Sequence, residues 1–343
     1  MHTGIVLINF GEPEVPTLES VTRFLERIFR ANASHDGDLS AEAVSSRSLE
    51  LARRRAPGLL EAYDQIGGSP LNPQARAQLE STCAALARRG YDVNGYPAFQ
   101  FTDPSIPEAV EQAISDGVTR LVGLPVYPLC GPSTTVAALA ELRAAVETVG
   151  TPPELIEVSG WHRHPAYARL RAENVRARAA SRGIDLHDRG TALVFTAHGT
   201  PLEYLRGGGR YVDYVEEHCA AIAALAGVDR FELGYQNHAN RGIEWTGPDL
   251  EDVVDSIDAE ALVIEAVSFI HEQSETLSEL DRDIRERVES RGIRFCRVPI
   301  PHDEPAFAEL LADLVEAALR PDAASARLLS CRCRPGGRCL SGD

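Results

Sequence analysis

The chain has 343 residues, a length that predicts two domains of roughly 150 residues each. Apolar residues make up 44% of it and charged residues 25%, which is typical of a soluble globular protein and argues against a disordered or fibrous one. The net charge of −17 argues against nucleic acid as a partner, because phosphate binding requires clustered positive charge.

Short apolar runs alternate with helical patterns along the chain. In chain order, the predicted strands are residues 4–10, 95–101, 120–126, 154–158, 191–197, 231–235, 261–267 and 294–298. Helical periodicity is found at residues 18–30, 72–89, 133–149, 166–181, 211–226, 274–291 and 304–319. This alternation predicts an α/β fold with parallel sheets covered by helices. The strand–helix order runs twice, which predicts two doubly wound Rossmann-like domains, residues 1–150 and 151–325, and a cysteine-containing tail, residues 326–343.

The apolar pattern also bears on location. The chain contains no run of about 18 apolar residues, and residues 4–10 read as a buried strand rather than as a signal peptide. We therefore expect a cytoplasmic protein. Peripheral contact with a membrane surface is compatible with this expectation. In a reducing compartment, the seven cysteines predict metal ligands or buried thiols rather than disulfides.

Two polar residues follow predicted strands of the second domain. His198 comes directly after the strand at residues 191–197, where a ligand of a parallel α/β sheet is expected, although a structural histidine is about as common there. Ser274 is predicted to cap a helix after the strand at residues 261–267, which places Glu275 in its first turn. A capping role alone is ordinary for such a glutamate, but both residues are predicted at the carboxyl edge of one sheet.

Six segments are similar, in the same order, to segments of ferrochelatases: residues 4–13, 53–57, 67–70, 196–199, 244–249 and 274–277. From Gly4 to about Leu319 the chain resembles that family. The resemblance implies a chelatase fold, in which two similar α/β domains enclose a porphyrin cleft. It also implies a lyase that inserts Fe(II) into protoporphyrin IX or coproporphyrin III, giving haem or coprohaem and releasing two protons. The alternatives are a cobalt or nickel chelatase of another tetrapyrrole, and a non-catalytic haem-binding protein.

The resemblance implies roles for the matching residues. His198 is expected to accept a pyrrole proton and meet the iron, and Glu275 is expected opposite it, guiding the metal or relaying protons. The residues expected to bind porphyrin are Phe10, Arg54, Arg55, Ser69, Tyr127 and Trp245. The three aromatic residues among them would form walls that bend the macrocycle, and the arginines and the serine would contact propionates. Taken alone, the run of arginines at residues 53–55 is equally typical of a solvated helix face.

The chain departs from the family at three places. Gln273 stands where a histidine is usual, and His271 lies two residues earlier, so that His271 either enters the site or is dispensable. Gln100 replaces a usual arginine. His164 replaces a usual aromatic residue and is either an added ligand on the path of the metal or an exposed side chain.

Cys331, Cys333 and Cys339 lie in a segment rich in glycine and arginine. Such grouped thiols suit a soft metal or an iron–sulfur centre. The resemblance to cluster-bearing ferrochelatases implies a 2Fe-2S cluster held by these three residues, with Cys130 as the candidate fourth ligand. Zinc, or a disordered redox-active tail, are the alternatives. The remaining three, Cys83, Cys219 and Cys296, are predicted to be buried apolar side chains.

Overall fold

A computed structural model of the protein describes residues 2–33, 40–206, 208–237, 243–320, 328–330 and 337–340. Two four-stranded parallel sheets organise this part of the chain. Within the described residues, no helix is both long enough and apolar enough to cross a membrane.

The first sheet has the strand order β2-β1-β3-β4. Its strands are β1 (Thr3–Asn9), β2 (Val93–Phe99), β3 (Arg120–Pro125) and β4 (Glu154–Glu157). All seven residues of β1 are buried, as expected for the central strand of a sheet covered on both faces. Its Ile5 lies opposite Gly95 of β2 and Val122 of β3.

Five α-helices accompany this sheet: α1 (Leu18–Asn32), α2 (Ala41–Ile66), α3 (Leu71–Arg88), α4 (Ile106–Ser115) and α5 (Ala137–Glu147), the last preceded by a π-helical turn, Pro132–Val136. The sequence did not predict α2, because Pro57 and Gly58 interrupt its pattern and proline is typical of a helix end. In the structure α2 continues through Pro57 for 26 residues. Its buried face contributes Ala52, Ala56 and Tyr63 to a core shared with α1.

The second sheet repeats this order as β6-β5-β7-β8. Its strands are β5 (Thr191–His198), β6 (Glu232–Gln236), β7 (Ala261–Ala266) and β8 (Arg294–Arg297). In each sheet the first strand is central, and the chain builds outward to one side and then to the other. The prediction of two similar, doubly wound α/β units with parallel sheets is confirmed.

The helices of the second unit are α6 (Pro165–Ser181), α7 (Leu202–Leu205), α8 (Tyr211–Ala226), α9 (Leu250–Ser256), a π-helix (Glu275–Ile284), α10 (Arg285–Glu289) and α11 (Pro305–Leu319). Alternate residues of β5 face opposite cores. Leu193 and Phe195 pack with α6 and α8, whereas Val194 packs with α9 and the π-helix. A short antiparallel pair follows, β9 (Leu329–Ser330) with β10 (Arg338–Cys339).

Contacts divide the chain into one unit up to Val126 together with Ser133–Val158, and a second formed by Tyr127–Pro132 and the residues from Ser159 onward. The predicted boundary near residue 150 precedes β4. Because β4 pairs with β3, it belongs to the first sheet. The segment Tyr127–Pro132 joins the second unit, where its Pro128 carbonyl accepts hydrogen bonds from the backbone N–H groups of Trp161 and His162.

Candidate active site

His198 is the last residue of β5 and is half-buried. Its backbone N–H donates to Ser268 Oγ at 2.8 Å, and its carbonyl accepts from the Tyr211 hydroxyl at 2.9 Å. Its ring nitrogen Nδ1 lies 2.6 Å from the carbonyl oxygen of Gly199. A carbonyl can only accept a hydrogen bond, so Nδ1 carries the hydrogen and Nε2 is the basic nitrogen of the neutral ring.

Gly199 allows the chain to approach β6 closely. A Cβ at this position would lie 1.6 Å from Oδ1 of Asn237, the residue that follows β6. Asn237 is held in turn by its Nδ2, which donates to the Thr246 carbonyl at 2.7 Å and to the carboxylate of Asp249. Glycine is therefore required here by packing.

Glu275 begins the π-helix and is half-buried, which confirms its predicted place in the first turn. Its Oε2 accepts from Gln273 Nε2 at 2.8 Å and from Ser274 Oγ at 3.0 Å. Ser274 directly precedes the π-helix, as predicted, but its side chain does not cap it. Its backbone angles are helical, and its hydroxyl binds this carboxylate instead of a backbone N–H. Gln273 thus supports the glutamate at the position where a histidine was expected.

Gln236 connects the two predicted catalytic residues. It is the register partner of His198 in β6. Its amide Nε2 donates to the Glu275 carbonyl at 3.2 Å and to Glu279 Oε2 at 2.9 Å. Because β5 lies between β6 and β7, the chain after β7 passes beside the end of β5 to reach Gln236. His198 and Glu275 are therefore brought to the same edge of the second sheet.

Trp245 belongs to the same edge. It forms an antiparallel bridge with Pro201, and the neighbouring Thr246 donates its backbone N–H to the Thr200 carbonyl at 3.0 Å. These bonds tie the half-buried indole to the segment that follows His198. Tyr127, another predicted wall residue, is half-buried at the start of the segment that joins the second unit.

The histidines that depart from the family pattern are both buried. Burial, followed by the charge of His302, lowers the pKa of His271 to about 3, so its ring is neutral. His164 caps α6 by accepting from the Ala166 backbone N–H at 3.3 Å. Of the two alternatives for His164, the exposed side chain is wrong, since only 2% of its surface is accessible.

In the first unit, Phe10 follows β1 and packs edge-on against Phe24 and Phe101, with ring centroids 6.1 and 4.6 Å away. Arg54 and Arg55 are exposed on α2. The neighbouring Arg53 lines a groove of about 680 Å³ between α1 and α2. Gln100, which stands where the family usually has an arginine, donates its Nε2 to the Ser133 carbonyl at 3.4 Å.

Ser69 has a partner that the sequence did not reveal. Its hydroxyl donates to the carboxylate of Glu12, a buried residue three positions beyond β1. The Tyr63 hydroxyl donates to the other oxygen of this carboxylate at 2.9 Å, and the backbone N–H of Glu12 donates to Asn72 Oδ1 at 2.9 Å. The single proton of the Ser69 hydroxyl is thus directed to Glu12. The signal in the sequence was an acidic residue just beyond the carboxyl end of a buried strand.

Of the four predicted cluster ligands, Cys331 and Cys333 lie outside the described residues. Cys339 is buried in β10 and Cys130 is half-buried. The carbonyl of Arg338 accepts from the Ser159 backbone N–H at 2.7 Å, and the N–H of Leu340 donates to the Gly160 carbonyl at 3.0 Å. The described ranges contain no grouping of three or more His, Cys, Asp or Glu side chains that could hold a metal ion. The predicted burial of Cys219 and Cys296 is confirmed, whereas Cys83 is only half-buried.

The fold and the site together define a chelatase-like α/β protein with an imidazole and a carboxylate at one sheet edge. Among solved structures, SirB from Bacillus subtilis with Fe3+ is similar, with a TM-score of 0.55 and 12% identity over 93% of this chain and 98% of that one. This similarity establishes the fold.

The sequence matches the Ferrochelatase family over residues 2–319. Curated proteins named Ferrochelatase are similar throughout: that of Citrifermentans bemidjiense is 30% identical over 93% of this chain and 99% of its own length. The Ferrochelatase of Synechococcus sp. (strain JA-3-3Ab) is 32% identical over 91% of this chain and 92% of its own length. The chain belongs to the ferrochelatase family and is a lyase that inserts ferrous iron into a porphyrin. The family match ends before the cysteines of the tail.

Proposed function

We propose that His198 is the base of iron insertion and that Glu275 acts with it. The observation that carries this proposal is the contact between His198 Nδ1 and the Gly199 carbonyl at 2.6 Å. This contact selects the ring tautomer whose Nε2 can accept a proton. The second hydrogen bond, from the His198 backbone N–H to Ser268, fixes the residue that carries the ring.

The carboxylate of Glu275 is oriented by two donors on one oxygen. Both Gln273 and Ser274 bind Oε2, so we assign the contact with Fe(II) to Oε1. Insertion exchanges one Fe(II) for the two hydrogens of the pyrrole N–H groups and leaves the oxidation state of iron unchanged. His198 accepts the first proton, and the Glu275 side receives the second and guides the metal.

The porphyrin is protoporphyrin IX or coproporphyrin III. Phe10, Tyr127 and Trp245 are proposed as walls that bend the ring and expose its nitrogen lone pairs. Arg54 and Arg55 are proposed to pair with propionates, which their exposed guanidinium groups on α2 support. Ser69 is also proposed to contact a propionate, and its bond to Glu12 orients the Ser69 hydroxyl.

The test is anaerobic mixing of the protein with Fe(II) and either porphyrin, followed by porphyrin absorption. We expect metalation, with His198→Ala lowering kcat by about 100-fold or more and Glu275→Gln also lowering it. His187→Ala is the matched control, because His187 is exposed in the same unit. Full activity of His198→Ala would contradict the assigned base. Turnover with Co(II) or Ni(II) but not Fe(II), or haem binding without turnover, would contradict the proposal.

A 2Fe-2S cluster in the tail is the second part of the proposal. Its ligands would be Cys130, Cys331, Cys333 and Cys339. In support, the loop of Cys130 and the strand of Cys339 bind the same segment: residues 159–160 bond to the tail, and residues 161–162 bond to Pro128. A cluster here would serve a structural or regulatory purpose, because metal insertion transfers no electron.

The cluster is tested by visible absorption and by the iron and sulfide content of the purified protein. We expect a coloured protein, and we expect Cys339→Ser to lose the colour while Cys219→Ser, which changes a buried thiol of α8, keeps it. A colourless protein with stoichiometric zinc would exclude the cluster. Thiolate ligands require a reducing compartment, and we propose that the enzyme works in the cytoplasm.

A further inference from the structure

A fully buried ion pair joins α6 to β7. Arg171 and Glu265 both have 0% of their side-chain surface exposed, and the Nε of Arg171 contacts the carboxylate of Glu265. Glu265 interrupts an otherwise apolar strand, Ala-Leu-Val-Ile-Glu-Ala. Burial raises the pKa of Glu265 to about 7 in spite of the neighbouring guanidinium.

Stability does not account for this pair. Desolvation of two charges offsets much of their attraction, and apolar residues of similar volume are often equally stable or more stable in such a place. The core of this unit includes Ala168, Ala172 and Val263, and the Tyr167 ring centroid lies 5.9 Å from the Arg171 guanidinium carbon. What a hydrophobic residue could not replace are the hydrogen bonds that the Arg171 guanidinium donates.

Two backbone carbonyls accept these hydrogen bonds. Nη1 of Arg171 donates to the Phe269 carbonyl at 3.1 Å, and Nη2 donates to the Ala266 carbonyl at 2.5 Å. The two carbonyls flank the turn at the carboxyl end of β7, which contains Ser268. The Oγ of Ser268 accepts the backbone N–H of His198. One guanidinium thus fixes the turn that holds the proposed base.

The other end of the same segment is held by a second buried arginine. Arg297 donates to Glu272 Oε1 at 2.9 Å, and the Ile300 backbone N–H donates to the same oxygen at 3.0 Å. The other oxygen of Glu272 accepts from Thr276 Oγ1 at 2.7 Å. Residues 266–276, which include Glu275, are therefore anchored at both ends.

We infer that Arg171, held by Glu265, is a positioning residue for iron insertion, which sets the turn Ala266–Phe269 and thereby the placement of His198 relative to Glu275. This inference rests on the roles proposed for His198 and Glu275. Arg171 contacts neither substrate directly. Its effect is expected on kcat, because the turn that it holds bonds directly to His198, the proposed base, through Ser268.

Two variants test the inference. Arg171→Met combined with Glu265→Leu removes both charges and keeps the volume. We expect a folded protein with a Tm close to that of the wild type, because removal of two buried charges offsets the loss of the two carbonyl bonds. Arg171→Lys keeps the charge beside Glu265 but cannot span both carbonyls. For both variants we expect kcat to fall by about 10- to 100-fold, as is typical when a residue that orients a ligand is lost. KM for the porphyrin and its Kd from fluorescence quenching should stay within about twofold.

The matched control is Arg143→Met combined with Glu157→Leu, which removes the ion pair between α5 and β4 in the first unit. Its kcat should be unchanged. Wild-type kcat in either Arg171 variant overturns the inference. The inference is also overturned if kcat falls only in a variant whose Tm has fallen as well, because the loss of activity then follows from lost stability. Wild-type kcat in His198→Ala would instead contradict the proposed base, so the two failures can be distinguished.

Discussion

Replacement of Gly199 by alanine tests the packing on which the placement of His198 depends. Gly199 does not have a positive φ, so its backbone would accept alanine. The added Cβ, however, would lie 1.6 Å from Asn237 Oδ1 and 2.7 Å from its Cγ. Asn237 would have to move by more than about 1 Å and give up its bonds to Thr246 and Asp249. Overpacking costs about 1–3 kcal/mol, and each lost hydrogen bond about 1 kcal/mol.

We therefore expect Gly199→Ala to lose about 3–5 kcal/mol of unfolding free energy, measured by urea denaturation. In the anaerobic metalation assay, a shift of about 1 Å at the base should lower kcat by about 100-fold. The double variant with Asn237→Ala removes the clashing oxygen and leaves Gln236 O at 3.2 Å as the nearest remaining atom. It should recover most of kcat and the overpacking part of the stability loss, but not the two hydrogen bonds that Asn237 Nδ2 donates. Wild-type stability and kcat in the single variant would refute this reasoning.

Three further changes have defined outcomes. Ser69→Ala removes a donor from buried Glu12, and should cost about 1–3 kcal/mol of unfolding free energy without any porphyrin present; an unchanged urea midpoint would contradict this. Tyr211→Phe removes the hydroxyl bond to the carbonyl of the proposed base, and should lower stability by about 1 kcal/mol while kcat falls less than tenfold. The pKa of Glu265 is raised to about 7 from an ordinary 4.5, so between these pH values the folded state binds more protons than the unfolded state. The unfolding free energy should therefore fall as pH rises from 5 to 7, by about 1.4 kcal/mol per unit of raised pKa. The Arg171→Met/Glu265→Leu protein should lack this component of the pH dependence in denaturation curves.

The fold was largely predictable from the sequence because each buried strand is a short apolar run bounded by helical periodicity. Strand β1 shows this most clearly, since all of its residues are buried. The position of His198 followed from the same pattern, because it comes directly after the strand predicted at residues 191–197 and is the last residue of β5. Helix α2 was not predicted, since the internal Pro57 carries the local signal of a helix end.

The partners of the site residues were not predictable. The bond from Gln273 to Glu275 depends on how the π-helix begins, and the bond from Ser69 to Glu12 joins residues 57 positions apart. Arg171 and Glu265 meet across 94 positions, and helical periodicity alone does not say which charge will face the core. Such pairings depend on tertiary packing, for which a single sequence contains only indirect information.

The bonds between residues 159–160 and residues 338–340 have a thermodynamic consequence. They join the start of the long segment of the second unit, which begins at Ser159, to residues about 180 positions later, as in the bond from Ser159 Oγ to the Arg338 carbonyl. A ligand that binds the tail only when these bonds are formed stabilises the second unit by an amount that grows with the logarithm of its concentration over its Kd. For the proposed cluster, binding to the tail and resistance of the second unit to unfolding would therefore be linked equilibria, and each would report on the other.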